Sequence, residues 1–232
     1  MLVLAHRGAS ADAPENTPAA FRLADTQGAD GVELDVRRAA DGRLLAAHDP
    51  LPTEPSELER AAFASLDEVL DACGDRMLVN VEIKNWRDDP DHDPTLRIVP
   101  PVLDELRRRG RPERWLISSF SWETIEACRA QAPEIATAWL CLAADHEAIA
   151  RVAAAGHAAL HPHERSVDTA LVEQVHAEGL ALNVWTCNDR DRIAELAGFG
   201  VDGVCTDVPA VALDALDRSG AALSPVFRRV PR

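Results

Sequence analysis

Gly31-Val32-Glu33-Leu34-Asp35-Val36-Arg37-Arg38, followed by Gly42-Arg43-Leu44-Leu45-Ala46-Ala47-His48-Asp49, holds features that ordinary packing does not ask for. Val32, Leu34 and Val36 alternate with Glu33, Asp35 and Arg37, which is the period of a strand, and the second run turns back on the first as a hairpin. Both carboxylates then project from one face. Side chains at i and i+2 of a strand sit roughly 7 Å apart, so two unpaired carboxylates on a buried face raise each other's pKa unless a cation lies between them. A hard divalent metal is such a cation. A solvent-facing acidic edge balanced by Arg37 is the alternative, and the rest of the chain has to decide.

On either side of this stretch, short apolar strands alternate with helical patterns. Strands are expected at Leu2 to Ala5, Met77 to Ile83, Trp115 to Ser118, Ile135 to Leu140, Ala158 to His161, Ala181 to Thr186 and Gly203 to Thr206. Helices are expected from Thr17-Pro18 to Gly28, from a Ser65/Glu68 capping box, over Thr95 to Arg109, after Ser121, and near 145–155, 168–178, 189–198 and 209–218. Near-continuous apolar strands separated by amphipathic helices mean parallel strands buried on both faces. Roughly eight such units make a (β/α)₈ barrel of the TIM type. An open doubly wound sheet would bring a glycine-rich G-x-G-x-x-G first turn, where this chain has His6-Arg7-Gly8. With 232 residues, one domain over 1–232 is expected.

Composition excludes several classes. A net charge of −15 argues against nucleic acid and against an anionic membrane surface. The five cysteines are odd in number and widely spaced, and they read as small reduced core residues rather than a disulfide framework. Met1 to Ala5 lacks a signal peptide's basic start and no apolar run reaches bilayer length, so the expected location is cytoplasmic, without stable membrane association. One lysine, Lys84, stands among 24 basic residues, two positions after Glu82 at a strand end. Arginine, a larger planar fork, does not replace a compact ammonium in a tight site.

The barrel reading gathers the charged motifs. His6-Arg7, Glu33 and Asp35, Glu82 with Lys84, Ser119-Phe120, Trp185 and Thr206-Asp207 all fall at or beyond C-terminal strand ends, the face on which such barrels do chemistry. Glu33, Asp35 and Glu82 can supply oxygen ligands to Mg²⁺ or Ca²⁺ with positions left open. Arg7 and Lys84 are placed to meet the charge of a phosphodiester. His6 and His48, as imidazoles, suit proton transfer near neutral pH.

Taken in order, His6-Arg7-Gly8, Pro14-Glu15-Asn16-Thr17, Glu33-x-Asp35, His48-Asp49 and Glu82-x-Lys84 resemble the glycerophosphodiester phosphodiesterase family, and the resemblance continues to Val201–Asp207. It implies a TIM barrel, hydrolysis of a small glycerophosphodiester to sn-glycerol 3-phosphate and an alcohol, and a place in glycerol and lipid metabolism. It also implies metal ligation by Glu33, Asp35 and Glu82, catalysis by His6 and His48, and phosphate contacts from Arg7 and Lys84. Attack would come from the substrate's own glycerol hydroxyl, through a cyclic phosphate that water opens. Phe120 and Trp185 fall where the family has apolar pocket walls, with ordinary core packing the alternative for Phe120 and an indole partner required for Trp185.

Other residues have plainer expectations. His146 and His176 read as surface groups, His157 as a loop residue, His161 as a pocket-rim residue, and His163 as exposed; a second zinc site at His161-Pro162-His163 is the less favoured alternative. The charged loop Asn85–Pro94 reads as a mobile rim. The insertion after the second strand is short, with Leu51 to Arg76 mostly spent on one helix, so the lid is small. A lysophospholipid-cleaving phospholipase D and a non-catalytic phosphate- or metal-binding barrel are the competing functions.

Overall fold

A computed structural model describes residues 1–218. Its nine strands are β1 (Leu2–His6), β2 (Gly31–Arg38), β3 (Leu44–Ala46), β4 (Leu78–Ile83), β5 (Trp115–Ser119), β6 (Ala136–Cys141), β7 (Ala159–Pro162), β8 (Ala181–Val184) and β9 (Gly203–Thr206). Eight of them run parallel and close on themselves, because β1 pairs with both β2 and β9. The ninth, β3, is antiparallel and pairs only with β2, as the hairpin reading expects. This is the (β/α)₈ barrel.

The helices are α1 (Pro18–Thr26), α2 (Pro55–Ala61), α3 (Leu66–Ala72), α4 (Val99–Arg109), α5 (Trp122–Gln131), α6 (His146–Ala155), α7 (Thr169–Ala177), α8 (Arg190–Phe199) and α9 (Pro209–Ala215). Local chemistry starts most of them. Thr17, Ser65, Ser121, Asp145, Asp168 and Asp189 each accept a backbone N–H from the first turn, which satisfies a donor the helix cannot pair internally. The helix expected from Thr95 begins four residues late. Asp93 instead accepts from the N–H groups of Thr95 and Arg97, and Leu96 adopts a left-handed φ of 55°.

The insertion between β3 and β4 holds two helices rather than one. The extra helix, α2, buries Leu58 alone, and a single apolar residue leaves no stripe for periodicity to reveal. Around the barrel, Val32, Leu34, Val36, Val79, Val81 and Ile83 are fully buried and pack against the helices. The alternate residues Glu33, Asp35 and Glu82 are buried too, on the interior face. No helix among the described residues is long and apolar enough to cross a membrane. All five cysteines are buried and free.

Candidate active site

Strand register assembles the acidic cluster. His6 stands opposite Glu33 across β1 and β2, and Asp35 stands opposite Glu82 across β2 and β4. Glu33, Asp35 and Glu82 thereby bring one oxygen each to within 4.8 Å of one another. Arg37 does not balance them, so the solvent-facing acidic edge is not what forms.

Two cations face this cluster. Lys84 Nζ lies 2.6 Å from Glu82 Oε1 and 2.9 Å from Asp35 Oδ1, and Arg7 Nε lies 3.1 Å from Asp35 Oδ2. Arg7 also donates to Glu15 at 2.8 Å. Burial would raise the Asp35 carboxyl, but Lys84, Arg7 and the Asn16 amide together hold it below its usual range. Glu82 stays raised, because burial outweighs Lys84. Glu33 is pushed up to about 8, chiefly by burial and next by Asp35. Its Oε1 is buried without a hydrogen-bond partner. Three oxygen donors, one of them orphaned and short of positive charge, fit a hard divalent cation.

The turn after β1 explains the His-Arg-Gly order. Arg7 takes a left-handed φ of 58° and Gly8 one of 84°, and a Cβ on Gly8 would lie 2.6 Å from Ala20. Only glycine fits there. The turn aims Arg7 back at Asp35 and leaves His6 at the strand end. His6 Nδ1 is 2.7 Å from Asp207 Oδ1, and its Nε2 is 4.0 Å from Glu33. Burial pulls the His6 imidazole down, yet Asp207 and Glu33 outweigh it and hold it above its usual value. Asp207 is correspondingly held down to about 2, against burial, by His6 and by Asn188, which donates to it at 2.5 Å. His48 follows β3, with Nδ1 2.8 Å from Asp49 and a side chain 40% exposed.

A cleft of about 340 Å³ is lined by His48, Glu82, Lys84, Trp86, Phe120 and Leu142 among others. A second, smaller cavity of about 30 Å³ is lined by His6, Glu33, Glu82, His161 and Trp185 among others. Glu82 belongs to both, so the sites of the two histidines adjoin there. Phe120 is half-buried and contacts Trp86 and Trp185 edge-on, at centroid distances of 5.9 and 5.4 Å. It is a wall of the cleft, not a core residue. Trp185 Nε1 finds its partner in the His161 carbonyl at 2.9 Å.

Several expectations are corrected. His161 is not on the rim: it is buried in the barrel, its Nε2 2.9 Å from the Asn183 amide nitrogen, and burial pushes it down to about 3. His157 is buried between Thr137 and Glu126. His163 is half-buried against Trp185. The loop Asn85–Pro94 does form a rim, but a fastened one: Arg37 reaches across to Asp89 at 2.9 Å and Asp91 at 2.7 Å. Sequence reasoning also passed over Asn16, whose amide donates to Asp35 at 2.8 Å, and Asp207 as the partner of His6. Their signals were present as Pro14-Glu15-Asn16-Thr17 and Thr206-Asp207, conspicuous but without an assigned role.

Known proteins are similar to this chain in sequence and in fold. Residues 6–54 and 50–211 match the model of the glycerophosphoryl diester phosphodiesterase family. A glycerophosphodiester phosphodiesterase of Caldanaerobacter subterraneus is 30% identical, over 94% of this chain and 99% of that protein. One from Bacillus altitudinis is 27% identical, over 89% of this chain and 94% of its own. An Oleispira antarctica phosphodiesterase, solved in complex with the product sn-glycerol-3-phosphate, superposes with a TM-score of 0.83 at 25% identity, covering 94% of this chain and 97% of that one. On its fold, its motifs and these relatives, the chain belongs to the glycerophosphoryl diester phosphodiesterase family, whose members are enzymes that cleave glycerophosphodiesters.

Proposed function

We propose that this chain, as one domain over residues 1–232, hydrolyses water-soluble glycerophosphodiesters to sn-glycerol 3-phosphate and an alcohol in the cytoplasm. The observation that carries the reading is the arrangement itself: a buried three-carboxylate cluster flanked by two histidines, each held through Nδ1 by an aspartate. Glu33, Asp35 and Glu82 would hold a divalent cation, Mg²⁺ or Ca²⁺, which supplies Lewis-acid polarisation of a phosphoryl oxygen when bound. Arg7 and Lys84 neutralise the remaining charge on the diester.

Since Asp207 and Asp49 accept from Nδ1, each imidazole turns Nε2 to its substrate. One takes the proton of the glycerol hydroxyl as that oxygen attacks phosphorus; the other gives a proton to the departing alcohol oxygen as its bond to phosphorus breaks. Water then adds to the cyclic phosphate with the roles reversed, and glycerol 3-phosphate leaves. Phe120, Trp185 and Trp86 wall the space beside the phosphorus.

Two diesters with the same leaving alcohol, one of glycerol and one of its 2-deoxy analogue, test the reading. The deoxy compound should react at least about 10³-fold more slowly, because the tethered nucleophile is lost. Equal rates would mean direct attack by water. Trp86 and Leu142 are 44% and 70% exposed at the mouth of the cleft, which favours a second reading, cleavage of lysophospholipids. The short insertion and acidic chain support deacylated diesters instead, and kcat/KM for glycerophosphocholine above that for its lysophospholipid counterpart is the expected result.

A further inference from the structure

Arg37 continues the row that begins with Glu33 and Asp35, yet it does different work. Its residue is 3% exposed at the point where β2 leaves the barrel and pairs with β3. Nε and Nη2 both donate to the backbone carbonyl of His48, at 2.9 and 2.8 Å. Nη1 donates to Asp91 at 2.7 Å and Nη2 to Asp89 at 2.9 Å. One guanidinium thus joins three segments: the barrel strand that carries Glu33 and Asp35, the loop that carries His48, and the rim that carries Trp86.

The grip on His48 matters because the side chain has little else to hold it. The imidazole is 40% exposed, and its polar partner is Asp49, 90% exposed itself. His6, by contrast, is set on a barrel strand. An exposed imidazole on a loop keeps a catalytic geometry only if its backbone is fixed. A planar fork with five N–H groups can bind a carbonyl through two of them and two carboxylates through the rest. An ammonium, a single point with three donors, cannot span that arrangement.

We propose that Arg37 is a positioning residue for the hydrolysis: it holds the His48 backbone at the distance proton transfer requires and ties the Trp86 rim to the same point. The proposal rests on His48 acting in proton transfer. It places Arg37 in contact with neither phosphorus nor cation. Its removal would leave the Asp89 and Asp91 carboxylates facing one another and the His48 loop free to shift, and a displacement near 1 Å at a catalytic group costs about 10²-fold in rate.

Arg37→Lys, Arg37→Gln, His48→Ala and the double variant Arg37→Lys/His48→Ala would be compared with saturating Mg²⁺ on one glycerophosphodiester, with folding checked by thermal melting. Arg37→Lys should melt within a few degrees of the parent and lose about 10- to 10²-fold in kcat, with KM changed less than about threefold. Arg37→Gln should lose at least as much. The double variant should be no slower than His48→Ala alone, since two residues acting through one step do not multiply. Retention of parental kcat by Arg37→Lys, or multiplied losses in the double variant, would overturn the positioning role while leaving the acid–base reading intact. Failure of both Arg37 variants to fold would overturn it too, by making Arg37 a requirement of the fold. If His48→Ala itself keeps its kcat, the acid–base reading fails first and the inference goes with it.

Discussion

His6 and His48 sit on two differently built sides of one site. His6 lies on β1 inside the barrel wall, its ring pinned between Asp207 from the end of β9 and Glu33 from β2. His48 lies on a loop beyond the appended β3, paired with an exposed aspartate and held by its main chain through Arg37. On the barrel side, closing the sheet fixes the geometry, and the groups that set it come from opposite ends of the chain. On the hairpin side, one buried arginine does what the barrel does for His6. Function therefore need not be built evenly into a fold: half of this site is a property of the barrel, and the other half hangs from it.

The largest effect should come from the group that both sides share. Excess chelator should reduce turnover to background while circular dichroism stays unchanged, because the cation proposed at the cluster would act in catalysis and is not a staple of the barrel's packing. Glu82→Gln should raise the metal concentration needed for half-activity by about 10-fold or more. Undiminished turnover in chelator would end the comparison by removing its common centre.

Next come the histidines themselves. His6→Ala and His48→Ala should each lower kcat by about 10²- to 10⁴-fold with modest change in KM. The contrast in setting then makes a sharper claim. Added imidazole should restore part of the activity of His48→Ala, whose vacated site opens on the cleft, and should do little for His6→Ala, whose site is 17% exposed and enclosed by Asp207 and Glu33. Equal rescue of both would show that the two settings are equivalent in practice.

Legibility followed the same division. Glu33, Asp35 and Glu82 were readable because a strand's period of two fixes which face each residue takes, and parallel pairing then brings neighbouring strands into line. The capping residues of α3 and α5 were readable for a similar reason: the signal lies within one turn of chain. Sequence alone gives Arg37 no role beyond the alternative of an acidic edge, because Asp89 and Asp91 lie more than 50 residues away on a loop with no repeating pattern. Asp207 went without a role because it meets His6 across 201 residues of sequence, through the closure of the barrel rather than any local rule. His161 reads as a rim residue when its strand is taken to end there; the strand runs one residue further, to Pro162, and the ring is buried.

The smallest effect concerns that third histidine, which shares a cavity with His6 and carries the opposite shift. His6 is held up because Asp207 and Glu33 overcome its burial; His161 is pushed down to about 3 by burial, with the Asn183 amide as its polar partner. Its folded value lies below the ordinary 6.5, so between pH 6.5 and about 3 the unfolded chain binds a proton there that the native chain refuses. Stability from this residue is complete above pH 6.5 and falls as the solution is acidified through that window. Over its acid side the loss should amount to about 3–5 °C of melting temperature per pH unit. His161→Gln keeps a polar side chain and cannot gain a charge, so its melting temperature should fall less steeply than the parent's between pH 6.5 and 4.5. Parallel curves would mean that the native barrel admits the proton at His161, and that burial on this side of the site does not by itself keep an imidazole neutral.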